Sequence, residues 1–166
     1  MTTFVTGSFL KYDDYITPSS AWTSIKHLIP PDKIVWEPFY CDGQSGDDLR
    51  ALGFEVIHEP VDFYAGARGD IVVSNPPFSD TKAILTQLVE WNKPFILILP
   101  ASKITTQYFR ALFAGDARLQ IIIPRKRIQF TKKNTDGTLE RGGRCSFDCF
   151  YFCWKIGLDK AITWLE

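Results

Sequence analysis

The 166-residue sequence predicts one α/β domain in which helices cover both faces of a largely parallel sheet. Short apolar runs of strand length alternate along the chain with segments whose apolar residues recur at helical spacing. The run Pro94–Pro100 is apolar throughout, as is typical of a strand buried on both faces. Hydrophobic residues make up 45% of the chain and charged residues 23%, which fits a globular protein with one core.

The first half of the chain contains three predicted strands. The run "KIVWEPF" (Lys33–Phe39) is predicted to be a strand, and the glycine-bearing loop "YCDGQSG" follows it. A short helix is expected over "DDLRALGF", where Leu49 and Leu52 share one face and Gly53 is suited to end the helix. The runs "FEVIHE" and "DIVVSN" are the second and third predicted strands.

The second half continues this alternation and then departs from it. We predict helices over "TKAILTQLVEWN" and over "ITTQYFRALFAG", which ends at Gly115, with the strand Pro94–Pro100 between them. Further strands are predicted over "LQIIIP", "RIQF" and the long "CSFDCFYFCWKI", a polar loop over Thr131–Arg144, and a short helix over the closing residues. Because no helical pattern separates "RIQF" from the last long strand, we expect an antiparallel pair at the edge of the sheet.

Charge is unevenly distributed along the chain, although the net charge is zero. Residues 1–80 contain 5 Lys/Arg and 12 Asp/Glu, whereas residues 118–144 contain 8 Lys/Arg and 2 Asp/Glu. A basic block in a neutral domain is a candidate for phosphate contacts, although most charged runs are only solvated surface.

The sequence lacks the features of a membrane or secreted protein. No apolar run is long enough to span a bilayer, and no secretion signal is evident in the first residues. We therefore expect an intracellular location, in cytoplasm or nucleus, and no membrane partner. Cys145, Cys149 and Cys153 lie four residues apart, which would suit a metal site on a helix. Because this segment has the pattern of a strand, we expect buried thiols and no metal.

Two predicted strands end in residues that suit ligand binding, since ligands of open α/β sheets bind at the carboxyl ends of the strands. Glu37 ends the first strand, and Gly43 and Gly46 follow in a loop that can approach a ligand closely. Glu59 ends the second strand, where an acid commonly accepts hydrogen bonds from ribose hydroxyls. Two neighbouring acids are near enough to take this role if the register differs, namely Glu55 and Asp62.

The third predicted strand, "DIVVS", ends in the tetrapeptide "NPPF" (Asn75–Phe78). Two prolines end a strand in any protein, so this stretch is on its own only a turn. With the other segments, it resembles the class I S-adenosylmethionine-dependent methyltransferases of the adenine-N6 type. That family carries an Asp/Asn/Ser-Pro-Pro-Phe/Tyr signature after its fourth strand, and "SNPPF" matches it. The segment "WEPFYCDGQSG" resembles the family's cofactor loop, with Glu37 in place of the usual Asp and one or two extra residues.

Three further segments extend the resemblance from Tyr15 to Trp154. "VDFY" resembles the family's Asp-Phe pair, in which the acid meets the adenine amine of the cofactor. "YITPSSAW" resembles a Thr-Pro segment beside the methionine end of the cofactor, although Thr-Pro is also an ordinary helix start. "RIQF", which ends at Phe130, resembles a late Arg-x-x-Phe segment near the target base, although such an aromatic residue is usually core. The five segments follow one another in an order known in the family.

The resemblance implies a Rossmann-like class I methyltransferase fold, a mostly parallel seven-stranded sheet with an antiparallel edge strand, and S-adenosyl-L-methionine as cofactor. It implies cofactor contacts from Thr17, Pro18, Glu37, Pro38, Gly43, Gly46, Glu59, Asp62, Phe63 and Asn75. It implies a catalytic role for Asn75, Pro76, Pro77 and Phe78.

The chemistry of an adenine amine agrees with this assignment. The amine is a poor nucleophile because its lone pair is delocalised into the ring. Hydrogen bonds from the amine to the Asn75 side-chain oxygen and the Pro76 carbonyl would favour a pyramidal nitrogen, and the prolines would fix that carbonyl outward. Phe78 would stack on the base, a contact worth about 1–3 kcal/mol. No strong base is needed, and a target within a duplex must be flipped out.

The motif alone does not select the substrate. Related signatures act on adenine N6 in DNA or RNA, on guanine N2 in ribosomal RNA, and on a glutamine side chain in translation factors. The Thr-Pro segment and the late aromatic segment favour adenine in nucleic acid, with DNA favoured over RNA. An inactive methyltransferase-like subunit that binds nucleic acid or a partner remains the alternative of another class.

We expect a single domain over residues 1–166 without a separate target-recognition domain, because only 12 residues separate Asp62 from Asn75. We expect relaxed or very short sequence recognition, or a partner that supplies it, and a homo-oligomer is left open. Such minimal enzymes resemble those of phages and large DNA viruses, which suggests a virus-encoded protein acting in a host cell. The expected substrate contacts are Phe78, Arg125, Lys126, Arg127, Phe130, Lys132, Lys133, Arg141 and Arg144.

Overall fold

The computed structural model describes residues 15–133, 136, 138–140 and 147–166. The strands are β1 (Tyr15–Ile16), β2 (Val35–Trp36), β3 (Val56–Ile57), β4 (Ile71–Ser74), β5 (Phe95–Pro100), β6 (Leu119–Ile123), β7 (Thr131–Lys133), β8 (Leu139–Glu140), β9 (Cys149–Trp154) and β10 (Ile162–Trp164). The α-helices are α1 (Ser19–Thr23), α2 (Gln44–Ala51), α3 (Thr81–Glu90) and α4 (Gln107–Phe113). Short 3₁₀ turns cover Lys26–Leu28, Phe63–Ala65, Phe78–Asp80 and Ala101–Thr105.

Seven strands form one mixed sheet in the order β10-β6-β9-β5-β4-β2-β3. β9 runs antiparallel to both of its neighbours, and the other pairs of neighbouring strands are parallel. Among the described residues this is a mostly parallel α/β sheet, as the alternating sequence pattern predicts, and it is compatible with a Rossmann-like fold.

The strand order reverses beside β2, and this reversal positions the candidate site. From β2 the chain passes to β3 on one side, and then crosses back to β4 on the other side of β2. In open α/β sheets such a reversal leaves a crevice outside the carboxyl ends of the two strands, and ligands bind there. Glu37 directly follows β2 and Asn75 directly follows β4, so both residues lie at this crevice.

Helices pack on both faces of the sheet, as predicted. On one face, Trp22 of α1 and Leu49 of α2 are fully buried against alternate residues of the central strands, such as Val73. On the other face, Leu88 of α3 and Phe109 of α4 are buried in a second cluster. This alternation is what a period of two residues produces in a strand that is covered on both faces.

The prediction of an antiparallel strand at the edge of the sheet was wrong. β9 is the antiparallel strand, but it lies inside the sheet between β5 and β6. Its residues "CFYFCW" are almost all buried, which requires neighbours on both sides and on both faces. The edge next to β6 is β10, a parallel strand formed by closing residues for which we expected a short helix.

A second correction concerns "RIQF", for which we expected a strand of the main sheet. It precedes β7, and β7 pairs with β1 and β8 in a separate three-stranded antiparallel sheet. Tyr15 faces Lys132 across the β1–β7 pair. In the part of the chain that the structure describes, no helix is long and apolar enough to cross a membrane.

Candidate functional site

Asn75 lies at the carboxyl end of β4, and a contact distant in sequence orients its side chain. The side-chain nitrogen donates a hydrogen bond to the hydroxyl oxygen of Thr17, at 2.8 Å. The side-chain oxygen is shielded from water and accepts no hydrogen bond among the described residues. Buried polar atoms are nearly always hydrogen-bonded, so an unpaired carbonyl oxygen held in this way suggests a group reserved for a ligand.

Glu37 lies beside Asn75 at the floor of the crevice and is 1% exposed. Its Oε1 accepts hydrogen bonds from the Ser74 hydroxyl at 2.6 Å and from the Phe39 backbone N–H at 3.0 Å. Burial raises the pKa of Glu37 to about 8, although these hydrogen bonds favour the carboxylate. Near neutral pH the carboxyl group is therefore mostly protonated, and a cation in contact with it would favour the ionised form.

His58 links the ends of β2 and β3. Its Nδ1 lies 2.7 Å from the Glu37 carbonyl oxygen, which only accepts hydrogen bonds, so Nδ1 carries the hydrogen. Its Nε2 is buried without a partner among the described residues, and burial lowers the pKa of the imidazole. A side-chain carbon at Gly46 would lie 2.3 Å from this ring. Gly46 therefore lets α2 pack against His58.

The turn after Asn75 has a fixed geometry. Pro76 is buried, and Pro77 has φ −57° and ψ 123°, an extended conformation that ends the strand. The Thr81 hydroxyl then donates to the carbonyl oxygen of Phe78 at 2.8 Å, which fastens the turn to the start of α3. The Phe78 carbonyl group is thus held in place before any ligand binds.

Phe78 belongs to a cluster of four aromatic rings, which we call the aromatic cluster: Tyr15, Phe78, Phe130 and Phe147. The Phe78 ring contacts Phe147 and Phe130 edge to face, at centroid distances of 5.5 and 6.3 Å. Tyr15 contacts Phe147 and Phe130 at 5.6 and 6.1 Å. Phe130, an expected base contact, is only 3% exposed. The structure therefore places Phe130 behind the half-buried Phe78 as a supporting residue.

The acids expected at the second strand end lie in different environments. Glu59 is exposed and forms an ion pair with Arg68 at 2.7 Å. Asp62 accepts a hydrogen bond from the backbone N–H of Tyr64 at 3.1 Å. Phe63 is fully buried, and its ring stacks on Trp36 with the centroids 5.6 Å apart. Glu59 is therefore exposed and Asp62 partly exposed after the end of β3, whereas the Phe63 ring points into the core.

The cofactor-loop residues form the start of α2. Pro38 is buried directly after Glu37. Gly43 has φ +84°, a left-handed conformation that favours glycine, and it stands at the N-cap of α2. Pro18 is the N-cap of α1, directly after the Thr17 that holds Asn75. Both expected segments thus begin helices whose first turns lie next to the site.

The expected cations are only partly within the described residues. Arg125, Lys126 and Lys132 are exposed. Arg127 forms an ion pair with Asp148 at 2.7 Å. The side chain of Lys133, and all of Arg141 and Arg144, lie outside the described residues.

Two residues of the site carried a sequence signal that we had not used, and a third carried none. Ser74 and Thr81 flank "NPPF" on either side, and hydroxyl residues at a turn commonly bond to neighbouring groups. His58 comes directly before Glu59 at a strand end, but its partner at Glu37 is 21 residues away. No local pattern indicates that contact.

Two cysteines of the last long strand have the environment that we expected. Cys149 and Cys153 are buried on β9, whereas Cys145 lies outside the described residues. Among the residues that the structure describes, no cluster of three or more His, Cys, Asp or Glu could hold a metal ion. In comparisons with known proteins, no family model and no curated protein matches this chain.

Proposed function

We propose that this protein is an S-adenosylmethionine-dependent methyltransferase that acts on the exocyclic N6 amine of adenine in nucleic acid, with DNA favoured over RNA. The proposal rests on the resemblance of the segments around Thr17, Glu37, Asp62 and Asn75, and on their meeting at one crevice. The observation that carries it is the buried Asn75 side-chain oxygen, which has no partner while its amide nitrogen is held by Thr17.

The unpaired oxygen suits an amine substrate. An exocyclic amine has two N–H donors, and the oxygen of an oriented amide is an acceptor. Thr17 fixes which end of the Asn75 amide faces the crevice, because the hydroxyl oxygen takes the amide N–H. We propose that the oxygen accepts one substrate N–H and that the Pro76 carbonyl accepts the other. Removing the acceptor should cost far more than removing a solvated contact, since a buried donor would then stay unpaired.

The residues at the crevice also fit the proposed cofactor. Glu37 would face the ammonium group, because a cation in contact recovers the cost of burying the carboxylate. Glu59 would accept hydrogen bonds from the ribose hydroxyls, and Asp62 would accept a hydrogen bond from the adenine amine. Glu59 forms an exposed ion pair with Arg68 in this structure. That ion pair would have to break for Glu59 to bind the ribose, at a cost of about 0–1 kcal/mol. The N-terminus of α2, preceded by Gly43, brings free backbone N–H groups to the same place.

The chain's own residues would mainly align the reactants. The cofactor, when bound, supplies the methyl group from its sulfonium centre. Asn75 and Pro76 would hold the amine nitrogen in line with that methyl group, and such alignment is a large part of enzymatic rate enhancement. Phe78 would fix the plane of the base. The methylated amine is acidic enough to lose its proton to water, so no general base is assigned.

Two measurements test the proposal in sequence. Calorimetry should detect binding of S-adenosylmethionine, and tritiated methyl groups should then transfer to DNA that contains adenine. Digestion of the product to nucleosides should yield N6-methyladenine. Absence of cofactor binding would refute the proposed enzymatic activity. Methylated guanine or methylated protein would instead identify one of the other substrates in place of adenine. Cofactor and nucleic-acid binding without transfer would instead favour an inactive subunit.

Substitution of Asn75 tests its assigned role. Asn75→Ala should lower methyl transfer by at least about 100-fold, because one oriented hydrogen bond in an active site contributes roughly 3 kcal/mol or more. Cofactor affinity should change little. Gln87→Ala, which removes an amide on the surface of α3, is the matched control and should leave transfer unchanged. Equal rates in wild type and Asn75→Ala would contradict the assigned role.

A further inference from the structure

A second pocket lies away from the crevice, and the strand β10 forms one of its walls. Its volume is about 720 Å³, within the range of roughly 300–1,000 Å³ that small-ligand sites occupy. α1 and the turn after it form another wall, and the segment after β6 forms a third. We call this cavity the β10 pocket.

The β10 pocket carries an excess of positive charge. Arg125, Lys126 and Arg127 line it, and Glu166 is the single acid among its described lining residues. Arg127 is held by Asp148, but Arg125 and Lys126 form no hydrogen bond or ion pair with any described residue. Two adjacent cations that no described residue pairs with, on the wall of a cavity, are suited to hold a phosphate group.

Trp164 adds an apolar surface to these cations. Its side chain lines the pocket and is 71% exposed, the highest exposure among the large hydrophobic residues that the structure describes. Burying an indole of this size is strongly favourable, so a ligand that covers it gains binding energy. A flat aromatic face next to cations is the arrangement by which proteins bind unpaired nucleotides.

The β10 pocket is joined to the candidate site through two segments. α1 lines the pocket, and it begins two residues after the Thr17 that orients Asn75. The Tyr151 hydroxyl donates to the Ala21 carbonyl at 2.7 Å, which fastens α1 to β9 below. Four residues lie between Arg125 and the Phe130 of the aromatic cluster, so the two are at most about 18 Å apart along an extended chain.

We propose that the β10 pocket binds an unpaired nucleotide of the substrate strand, with its base against Trp164 and its phosphate between Arg125 and Lys126. The proposal rests on the proposed function only in so far as the same strand reaches Asn75. It gives this small domain a second contact on the strand, near the reacting base but separate from it. A base that has left its duplex, or a single-stranded substrate, would provide such a nucleotide.

The test measures binding of fluorescein-labelled oligothymidylate, twelve nucleotides long, by fluorescence anisotropy at several salt concentrations. This probe contains no adenine, so its binding is independent of methyl transfer. Trp164→Ala should weaken binding about 5- to 150-fold, which is the range of base stacking, and Trp164→Phe should retain most of the affinity. Because Trp164 is exposed, these variants should unfold at the wild-type temperature, which a thermal melt checks.

The charge contribution is read from the salt dependence. Replacing Arg125 and Lys126 with Ala should reduce the slope of log affinity against log salt by about 1.4, or 0.7 for each phosphate contact on a single strand. Arg110→Ala with Lys160→Ala removes two exposed cations that do not line the pocket, and this control should leave the slope unchanged. Parallel titrations with oligouridylate tell whether the pocket takes DNA, RNA or both.

The outcomes separate this inference from the proposed function. Oligothymidylate binding that depends on Trp164, without methyl transfer to any nucleic acid, would support the pocket and refute the enzyme. Transfer by wild type, together with oligothymidylate binding that none of these variants weakens, would refute the pocket alone. Absence of oligothymidylate binding would overturn the inference, as would equal binding of a dA·dT duplex that is insensitive to Trp164→Ala.

Discussion

Binding of S-adenosylmethionine is predicted to release a proton from Glu37. In the free protein, burial holds the pKa of this carboxyl group at about 8, compared with 4.5 for an exposed glutamate. A cationic ammonium group against the carboxylate favours the ionised form and lowers that pKa. Cofactor binding and ionisation of Glu37 are therefore coupled, and each must strengthen with the other.

The magnitude follows from the raised pKa. At pH 7 a group with a pKa of 8 is about nine-tenths protonated, so binding should release about 0.9 proton from this site. Below pH 8 the affinity should rise about tenfold for each pH unit, and it should level off above pH 8. Glu37→Gln cannot ionise, although its side-chain oxygen can still accept from Ser74 and from the Phe39 N–H. The variant should bind the cofactor more weakly at pH 8 and should not show the tenfold rise.

Calorimetry at pH 7 in phosphate and in Tris measures the released protons, because the two buffers have different enthalpies of ionisation. The difference between wild type and Glu37→Gln isolates the glutamate from titration of the ligand's own amine. A difference close to one proton is the expected result. Equal proton release in the two proteins would refute the assigned contact, whereas absence of binding in wild type would refute the cofactor itself.

Two further predictions concern the folded state. Because the folded pKa of Glu37 lies above its unfolded value, its contribution to stability is fully present below pH 4.5 and is lost as the pH rises towards 8, by on the order of 1 kcal/mol per pH unit. Urea unfolding should show this loss in wild type but not in Glu37→Gln, and the comparison cancels the opposite effect of His58, whose lowered pKa reduces stability below about pH 6.5. Gly46→Ala should destabilise the fold by about 1–3 kcal/mol, because its side-chain carbon would overlap the His58 ring. His58→Ala in the same chain should recover part of that loss, and strictly additive effects in urea unfolding would contradict the overlap.

The sequence predicts which segments form strands and helices better than it predicts which strands lie next to each other in the sheet. Alternating apolar runs correctly indicate the parallel strands and the helices on both faces, because burial of each face imposes its own period. The predicted position of β9 was wrong because strands compete for neighbours in the sheet, and that competition decides which strands pair. "CFYFCW" has no polar face, so its burial is lowest in energy between two strands and not at an edge.

In the candidate site, too, the sequence indicates local structure but not the contacts between distant residues. Each strand end is recognisable alone, since prolines and glycines carry local conformational signals. The contact between Thr17 and Asn75 spans 58 residues, and only the fold brings the two together. We selected Gly46 as a glycine that lets the loop approach a ligand closely. Its neighbour is the His58 ring, a packing partner that local sequence does not reveal.

The short β1 segment connects both halves of the candidate site. Thr17 orients the Asn75 amide, while Tyr15, two residues earlier, packs on the rings that support Phe78. β1 in turn pairs with β7, which carries Lys132. The Asn75 oxygen is shielded from water, so a substrate amine can reach it only if a neighbouring group moves. Phe78 makes two edge-to-face ring contacts, each worth about 0.5–1.5 kcal/mol, and together they are comparable to the roughly 1–3 kcal/mol that a stacked base returns. If a substrate base moves the Phe78 ring, Tyr15 and Thr17 connect that movement through the β1 segment to the Asn75 amide.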